Sequence, residues 1–179
     1  GYVFAKDSYA GGISGVNTGW IYNCDSKIDG SKIPTELMQR FSGDYVGGIV
    51  GYNNGIIGNT LRDTKDKTLI IETASADERR ITITSNISGT SYVGGIVGYN
   101  DEQAVVEDYA VDGGFVRGTE QGCFVGGYVG FNASLDLLQS GDGSAKSIEA
   151  SPSSVYGGCF VGGILGGNII NTSGYTAGT

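Results

Sequence analysis

The sequence predicts an all-β protein whose short strands stack as the coils of a β-solenoid, about five coils in all. Three observations lead there: an excess of glycine, a nonapeptide that recurs five times, and spacings between its copies that vary. Of 179 residues, 33 are Gly, about two and a half times the average share of about 7%. Only two are Pro, no G-X-Y period runs through the chain, and 39% of residues are hydrophobic. Collagen and disorder are thereby excluded. Eleven Tyr and six Phe supply apolar mass where long runs of helix formers are missing, which is the composition of strands and turns.

The nonapeptide reads YAGGISGVN (9–17), YVGGIVGYN (45–53 and again 92–100), FVGGYVGFN (124–132) and FVGGILGGN (160–168), with starts 36, 47, 32 and 36 residues apart. Periods of this size mark solenoids, propellers or arrays. Helical repeats are excluded by the glycine density. A stack accommodates unequal intervals by bulging loops outward, which favours it over a closed propeller. The chain reads as one solenoid domain over 1–179, truncated at both ends and belonging to a larger parent, since no polar cap is evident.

Shorter echoes flank each copy. TGWIYNC after Asn17 aligns with NGIIGNT after Asn53, placing Gly19 with Gly55 and Ile21 with Ile57. FSGD at Phe41, ISGTS at Ile87 and FVRGTEQG at Phe115 precede the next copies, so each repeat is expected to hold about three short strands. The charged segment over about 60–88 accounts for the long interval and reads as an extra hairpin or extruded loop.

In a parallel stack, equivalent positions lie about 4.8 Å apart and form columns along the axis. Tyr9, Tyr45, Tyr92, Phe124 and Phe160 are expected to form an aromatic column. Ile13, Ile49, Ile96, Tyr128 and Ile164 are expected to form an aliphatic one, with Tyr128 as its aromatic member. The paired glycines imply a tight bend or close backbone approach, and the third glycine (Gly15, Gly51, Gly98, Gly130, Gly166) is expected to open the next corner. Asn17, Asn53, Asn100, Asn132 and Asn168 are expected to pass amide hydrogen bonds along the axis as a ladder. Cys123 and Cys159 share a column within reach of a disulfide; a bond and a stacked pair of free thiols both fit. Cys24 stands alone and reads as a small buried filler.

YVGGIVGYN, with the units NTGWIYNC and EDYAVDGGFVRG, resembles the GLUG-motif repeats of large bacterial surface and secreted proteins. These include filamentous adhesins and the solenoid regions of immunoglobulin A-cleaving metallopeptidases. The resemblance runs from Tyr9 to Asn168, apart from the inserts after Gly30, Thr60 and Asn132. It implies a right-handed β-helix, an extracellular or cell-surface setting and a structural motif with no catalytic residue to carry over.

The formal charge of −8 disfavours nucleic acid and anionic membranes. No apolar run is long enough to span a bilayer, so no membrane insertion is expected. The absence of His removes Ser-His-Asp triads, His-ligated zinc and the H-E-x-x-H motif. No cofactor or metal is expected, and Asp25, Asp29, Asp44 and the SGDGS around Asp142 read as solvated loop charge. An enzyme of the polysaccharide lyase or glycosidase kind would need converging carboxylates. Asp108, Asp112 and Arg117, or Glu72, Asp77 and Arg79, are the sets to consider, and neither recurs as a cluster. The expectation is a non-catalytic stalk or scaffold. The alternative is an adhesin for a host or cell-surface glycan or protein, with Tyr52, Tyr99 and Phe131, joined by Tyr22, as an aromatic platform if these rings face outward.

Overall fold

The computed structural model describes residues 3, 5, 8–22, 24, 26, 44–58, 60–62, 69–72, 81–83, 86–107, 109–134 and 149–169. Among these the chain is all-β, without a helix, and its strands gather into five parallel sheets and one antiparallel hairpin.

The nonapeptide supplies two strands per copy. Its first half forms β1 (Tyr9–Gly11), β4 (Tyr45–Gly47), β11 (Val93–Gly94), β16 (Cys123–Gly126) and β20 (Cys159–Gly162), hydrogen-bonded side by side in that order as sheet I. Its second half forms β2 (Ser14–Asn17), β5 (Val50–Asn53), β12 (Val97–Asn100), β17 (Val129–Asn132) and β21 (Leu165–Asn168), which make sheet II in the same order. The register pairs like with like: Val93 lies opposite both Val46 and Val125, and Asn100 opposite both Asn53 and Asn132.

Three smaller sheets complete the repeats. Sheet III joins β3 (Trp20–Ile21), β6 (Ile56–Ile57) and β13 (Val105–Val106); sheet IV joins β9 (Ile81–Ile83), β14 (Tyr109–Asp112) and β18 (Glu149–Ser151); sheet V joins β10 (Asn86–Ser88), β15 (Phe115–Arg117) and β19 (Ser154–Tyr156). Between Val93 and Cys123 the chain contributes one strand to each of sheets I, II, III, IV and V, then re-enters sheet I. That repeat holds five short strands where about three are legible in the sequence. Ile21 pairs with Ile57 as expected, and Ile87 pairs with Val116. The inward-facing side chain, not the first apolar letter, sets the register.

Among the described residues of the 60–88 segment, the first strands leave this pairing and the last rejoin it. Strands β7 (Thr60–Arg62) and β8 (Leu69–Glu72) form the antiparallel hairpin, whereas Ile81–Ile83 and Asn86–Ser88 rejoin sheets IV and V.

Two apolar clusters fill the interior. Ile49, Val50, Ile57, Ile96, Val97, Val106, Tyr109, Val111, Tyr128 and Val129 pack together beneath sheets II to IV. Ala10, Val46, Ile87, Val93, Val116 and Val125 pack beneath sheets I and V. The column through Ile49, Ile96 and Tyr128 is buried, while its outermost members Ile13 and Ile164 are 42% and 41% exposed.

The bend between the two halves of the nonapeptide sits at its second glycine and the following residue, Gly48–Ile49 in the second copy. Gly51, Gly98, Gly130 and Gly166 do not open a corner; they lie inside β5, β12, β17 and β21. At the bend the chain folds so tightly that a Cβ on Gly47 would lie 2.1 Å from the Val50 carbonyl oxygen. The same clash recurs at Gly94 and Gly126, 2.0 Å from the carbonyls of Val97 and Val129. Only glycine permits this turn.

Candidate functional site

Side chains on the outer surface of sheets I and II form two facing ladders of rings. In the first, Tyr9, Tyr45, Tyr92, Phe124 and Phe160 follow one another at centroid distances of 4.9, 4.8, 5.1 and 4.9 Å. From Tyr45 onward these rings are nearly parallel, with interplanar angles of 8–13°. In the second, Tyr52, Tyr99 and Phe131 stack at 5.5 and 5.2 Å. The ladders meet edge to face: Phe124 and Phe131 lie 5.0 Å apart at 84°, and Tyr92 and Tyr99 5.7 Å apart at 71°. Such pairs add about 0.5–1.5 kcal/mol each beyond area burial.

This arrangement explains a feature of the backbone. Tyr92, Phe124 and Phe160 adopt left-handed conformations with φ of 50°, 64° and 51°, a state costing about 1–3 kcal/mol for a non-glycine residue. The stacked rings hold it in place, so a glycine there would relieve the backbone and lose the ladder.

Tyr52, Tyr99 and Phe131 lie on the outer side, as a platform requires, but their faces are not free. Tyr99 is sandwiched between Tyr52 and Phe131, and the edges of the first ladder close the remaining side. Phe131 is itself buried, at 8% exposure. Tyr22 does not join the row; Val16 occupies that position opposite Tyr52, and Tyr22 stacks instead on Trp20 at 4.4 Å. Trp20 in turn donates its indole Nε1–H to the Gly58 carbonyl at 2.8 Å.

The hydroxyls give the ladders their polar edge. Tyr52 Oη donates to Asp101 Oδ2, and Asp101 Oδ1 accepts the Glu102 backbone N–H at 2.8 Å. That hydrogen bond, then burial, raises the Tyr52 pKa well above the ordinary 10.0. Tyr45 and Tyr99 are also raised, first by burial and then by neighbouring tyrosines and acids. Asp101 is a partner the repeat pattern does not reveal, because it follows only one copy; its place directly after Asn100 was the available signal.

On the inner side of the same strands runs the asparagine ladder. Asn17 Nδ2 donates to Asn53 Oδ1 at 2.8 Å, Asn53 to Asn100 at 2.9 Å, Asn100 to Asn132 at 3.0 Å and Asn132 to Asn168 at 2.9 Å. Each of three Oδ1 atoms also accepts the backbone N–H two residues on: Gly19 at 3.1 Å, Gly55 at 3.3 Å and Ser134 at 3.3 Å. The side chain thus caps its own turn while bonding its neighbour.

Cys123 and Cys159 are joined by a disulfide, with a Cα–Cα distance of 4.6 Å across paired strands. Cys24 is not a buried filler: it is half-buried, and its thiol reaches the Tyr22 carbonyl at 3.2 Å.

Of the candidate carboxylate sets, only Asp112, Arg117 and Glu72 fall among the described residues. Asp112 is exposed at the end of β14. The Arg117 guanidinium lies 5.7 Å from the Phe115 ring centre and 5.8 Å from that of Tyr156. Glu72 ends the hairpin strand β8, and Asp108, Asp77 and Arg79 lie outside the described residues, as do Asp25, Asp29 and Asp142. Among the described residues no three of His, Cys, Asp and Glu are grouped to hold a metal ion. No helix there is long and apolar enough to cross a membrane.

No protein-family model matches the chain, and no curated protein or solved structure matches it either.

Proposed function

We propose that the chain is a right-handed β-solenoid segment serving as a non-catalytic scaffold or stalk of a bacterial surface or secreted protein. The supporting observation is that the recurring aromatic and amide side chains are spent on their own counterparts in the next repeat. Asn53 binds Asn100, and Tyr45 covers Tyr92. A binding platform needs ring faces open to a ligand, whereas these faces are closed along the column. The disulfide agrees with an oxidising, extracellular setting. The resemblance to GLUG-motif repeats points the same way, with the remainder of a larger parent chain as the anchored and functional partner.

A display experiment and a ligand screen test this together. The chain is inserted between a membrane-anchored domain and a reporter on a bacterial surface, and separately screened on arrays of glycans and host-surface proteins. The expected result is an exposed reporter and no saturable binding by the inserted chain. Saturable glycan or protein binding lost in Tyr52→Ala or Tyr99→Ala would replace the scaffold with an adhesin. Cleavage of an acidic or neutral polysaccharide, lost in Asp112→Asn or Glu72→Gln, would replace it with a lyase or glycosidase.

A further inference from the structure

We propose that the tyrosine ladders are a site of one-electron oxidation, in which Tyr52 ends as a neutral tyrosyl radical and Asp101 takes its proton. The co-reactant is a one-electron oxidant, such as a peroxidase-generated radical or a high-valent metal complex. Ring geometry and one hydrogen bond carry this, independently of the scaffold role.

The stack sets where an electron can move. Tyr9, Tyr45 and Tyr92 follow one another in the first ladder, and Tyr52 and Tyr99 in the second. Tyr45 lies 4.8 Å from Tyr92, and Tyr52 lies 5.5 Å from Tyr99. Across the ladders, Tyr9 and Tyr45 lie 5.6 and 6.2 Å from Tyr52, and Tyr45 and Tyr92 5.8 and 5.7 Å from Tyr99. Each of these tyrosines thus touches a ring of its own ladder and a ring of the other. An electron vacancy formed on any of them can pass to the rest. In the fourth copy both ladders change to phenylalanine, at Phe124 and Phe131. A ring without a hydroxyl is much harder to oxidise and has no proton to lose, so the block ends at Tyr92 and Tyr99.

Hydrogen bonding sets where the vacancy comes to rest. An oxidised phenol is a strong acid, and it is held where a base within hydrogen-bond reach accepts the proton. Tyr52 Oη donates to Asp101 Oδ2, and among the described residues no other ladder hydroxyl donates to a carboxylate. In the step itself the oxidant gains one electron and the Tyr52 O–H bond breaks. The proton forms an O–H bond on Asp101 Oδ2, and the ring remains as the neutral phenoxyl. The same hydrogen bond holds the Tyr52 proton above the ordinary 10.0, so at neutral pH the species oxidised is the phenol and not the phenolate. Electron and proton therefore leave together.

The surroundings favour this path over its competitors. Asp44 acts on Tyr45, and Asp101 and Glu102 on Tyr99, with a negative field that raises both hydroxyl pKa values. That field also stabilises a positive vacancy as it passes through those rings. Tyr109 and Tyr128 lie outside the ladders and donate to the carbonyls of Cys24 and Tyr109, which do not take up a proton. Trp20, an indole and so the easier ring to oxidise, stacks on Tyr22 and on neither ladder among the described residues. Its N–H also donates to a carbonyl, that of Gly58.

Oxidation of the 179-residue chain by photogenerated ruthenium(III) polypyridyl, with a nitroso spin trap present, tests the proposal. A Cys24→Ser background removes the free thiol as a competing donor. Peptide mass mapping is expected to place the trap adduct mainly on Tyr52. Asp101→Asn keeps a hydrogen-bonding side chain but removes the base. It should cut trapping at Tyr52 by roughly tenfold or more, with water left as the poorer acceptor. Circular dichroism melting checks that the variant folds like the parent; if it melts early, Asp101→Ala replaces it. Parent adducts that fall mainly on Trp20, or evenly over the five ladder tyrosines, overturn the proposal. So does a folded Asp101 variant in which Tyr52 is trapped as readily as in the parent.

Discussion

Asn53 donates its side-chain amide to Asn100 at 2.9 Å, and neither residue has any exposed surface. A buried amide without partners costs about 1–3 kcal/mol per stranded group, so each asparagine is held in place by the next. Asn100→Ala leaves Asn53 Nδ2 with only its 3.3 Å contacts to the Gly55 and Val105 carbonyls and Asn132 Oδ1 with only the Ser134 N–H, and should destabilise the chain by roughly 1–3 kcal/mol in urea unfolding. Asn168→Ala, at an exposed position, should change stability by no more than about 0.5 kcal/mol. Equal losses at the two positions would show that the ladder is not what the amides are for.

Gly95 and Gly163 occupy the same place in the repeat and should respond oppositely to one methyl group. Gly95→Ala forces a Cβ to within 2.3 Å of the next backbone and should cost about 3 kcal/mol or more, or prevent folding. Gly163→Ala, with nothing among the described residues within 4 Å of its Cβ, should fold with an unchanged melting temperature. Thermal melts of the two variants decide the matter.

The Cys123–Cys159 bridge closes a sequence separation of 36 residues and should contribute about 3–4 kcal/mol by the loop-entropy estimate. It ties the exposed fifth repeat to the buried fourth. Reduction, or Cys159→Ser, should therefore speed amide hydrogen exchange in Cys159–Gly162 and Leu165–Asn168 while leaving Val50–Asn53 nearly unchanged. Uniform loosening across all repeats would contradict this.

Stability should be flat from neutral pH to about 10 and fall above it. Tyr45, Tyr52 and Tyr99 hold their protons more tightly in the folded chain than the ordinary value of 10.0 allows. An unfolded tyrosine releases its proton near pH 10 while the folded one keeps it, so the stabilising difference is lost as pH rises through the folded values. Asp101→Ala removes the largest cause at Tyr52 and should make the decline shallower. Denaturant midpoints across the alkaline range, with phenolate absorbance as the second probe, measure both effects.

The repeat unit, its register and the chemistry of the columns were legible because nine residues recur with the same order of aromatic, glycine and asparagine. Parallel pairing then leaves each residue opposite its own counterpart, as Asn100 lies opposite Asn53 and Asn132. The strand Val105–Val106 was not legible, since two valines carry no periodicity. The units at Ile87 and Phe115 were legible as apolar-glycine stretches, but their register was not: the side facing the core pairs Ile87 with Val116. The place of Tyr22 failed for a related reason: the chain leaves sheet II at Asn17, and residues beyond it follow a different sheet.

Like residues at like positions were determined by the sequence alone, because stacking in register is the arrangement that buries every copy of a repeated side chain at once. The number of strands in each repeat, the bend at Gly48–Ile49 and the edge-to-face meeting of Tyr92 with Tyr99 were decided only by the tertiary structure. These depend on the angle between sheets and on contacts between residues distant along the chain, which local pattern does not encode. The same physics closes the tyrosine faces: whether a ring is a platform or a rung follows from what lies above and below it, not from its own identity.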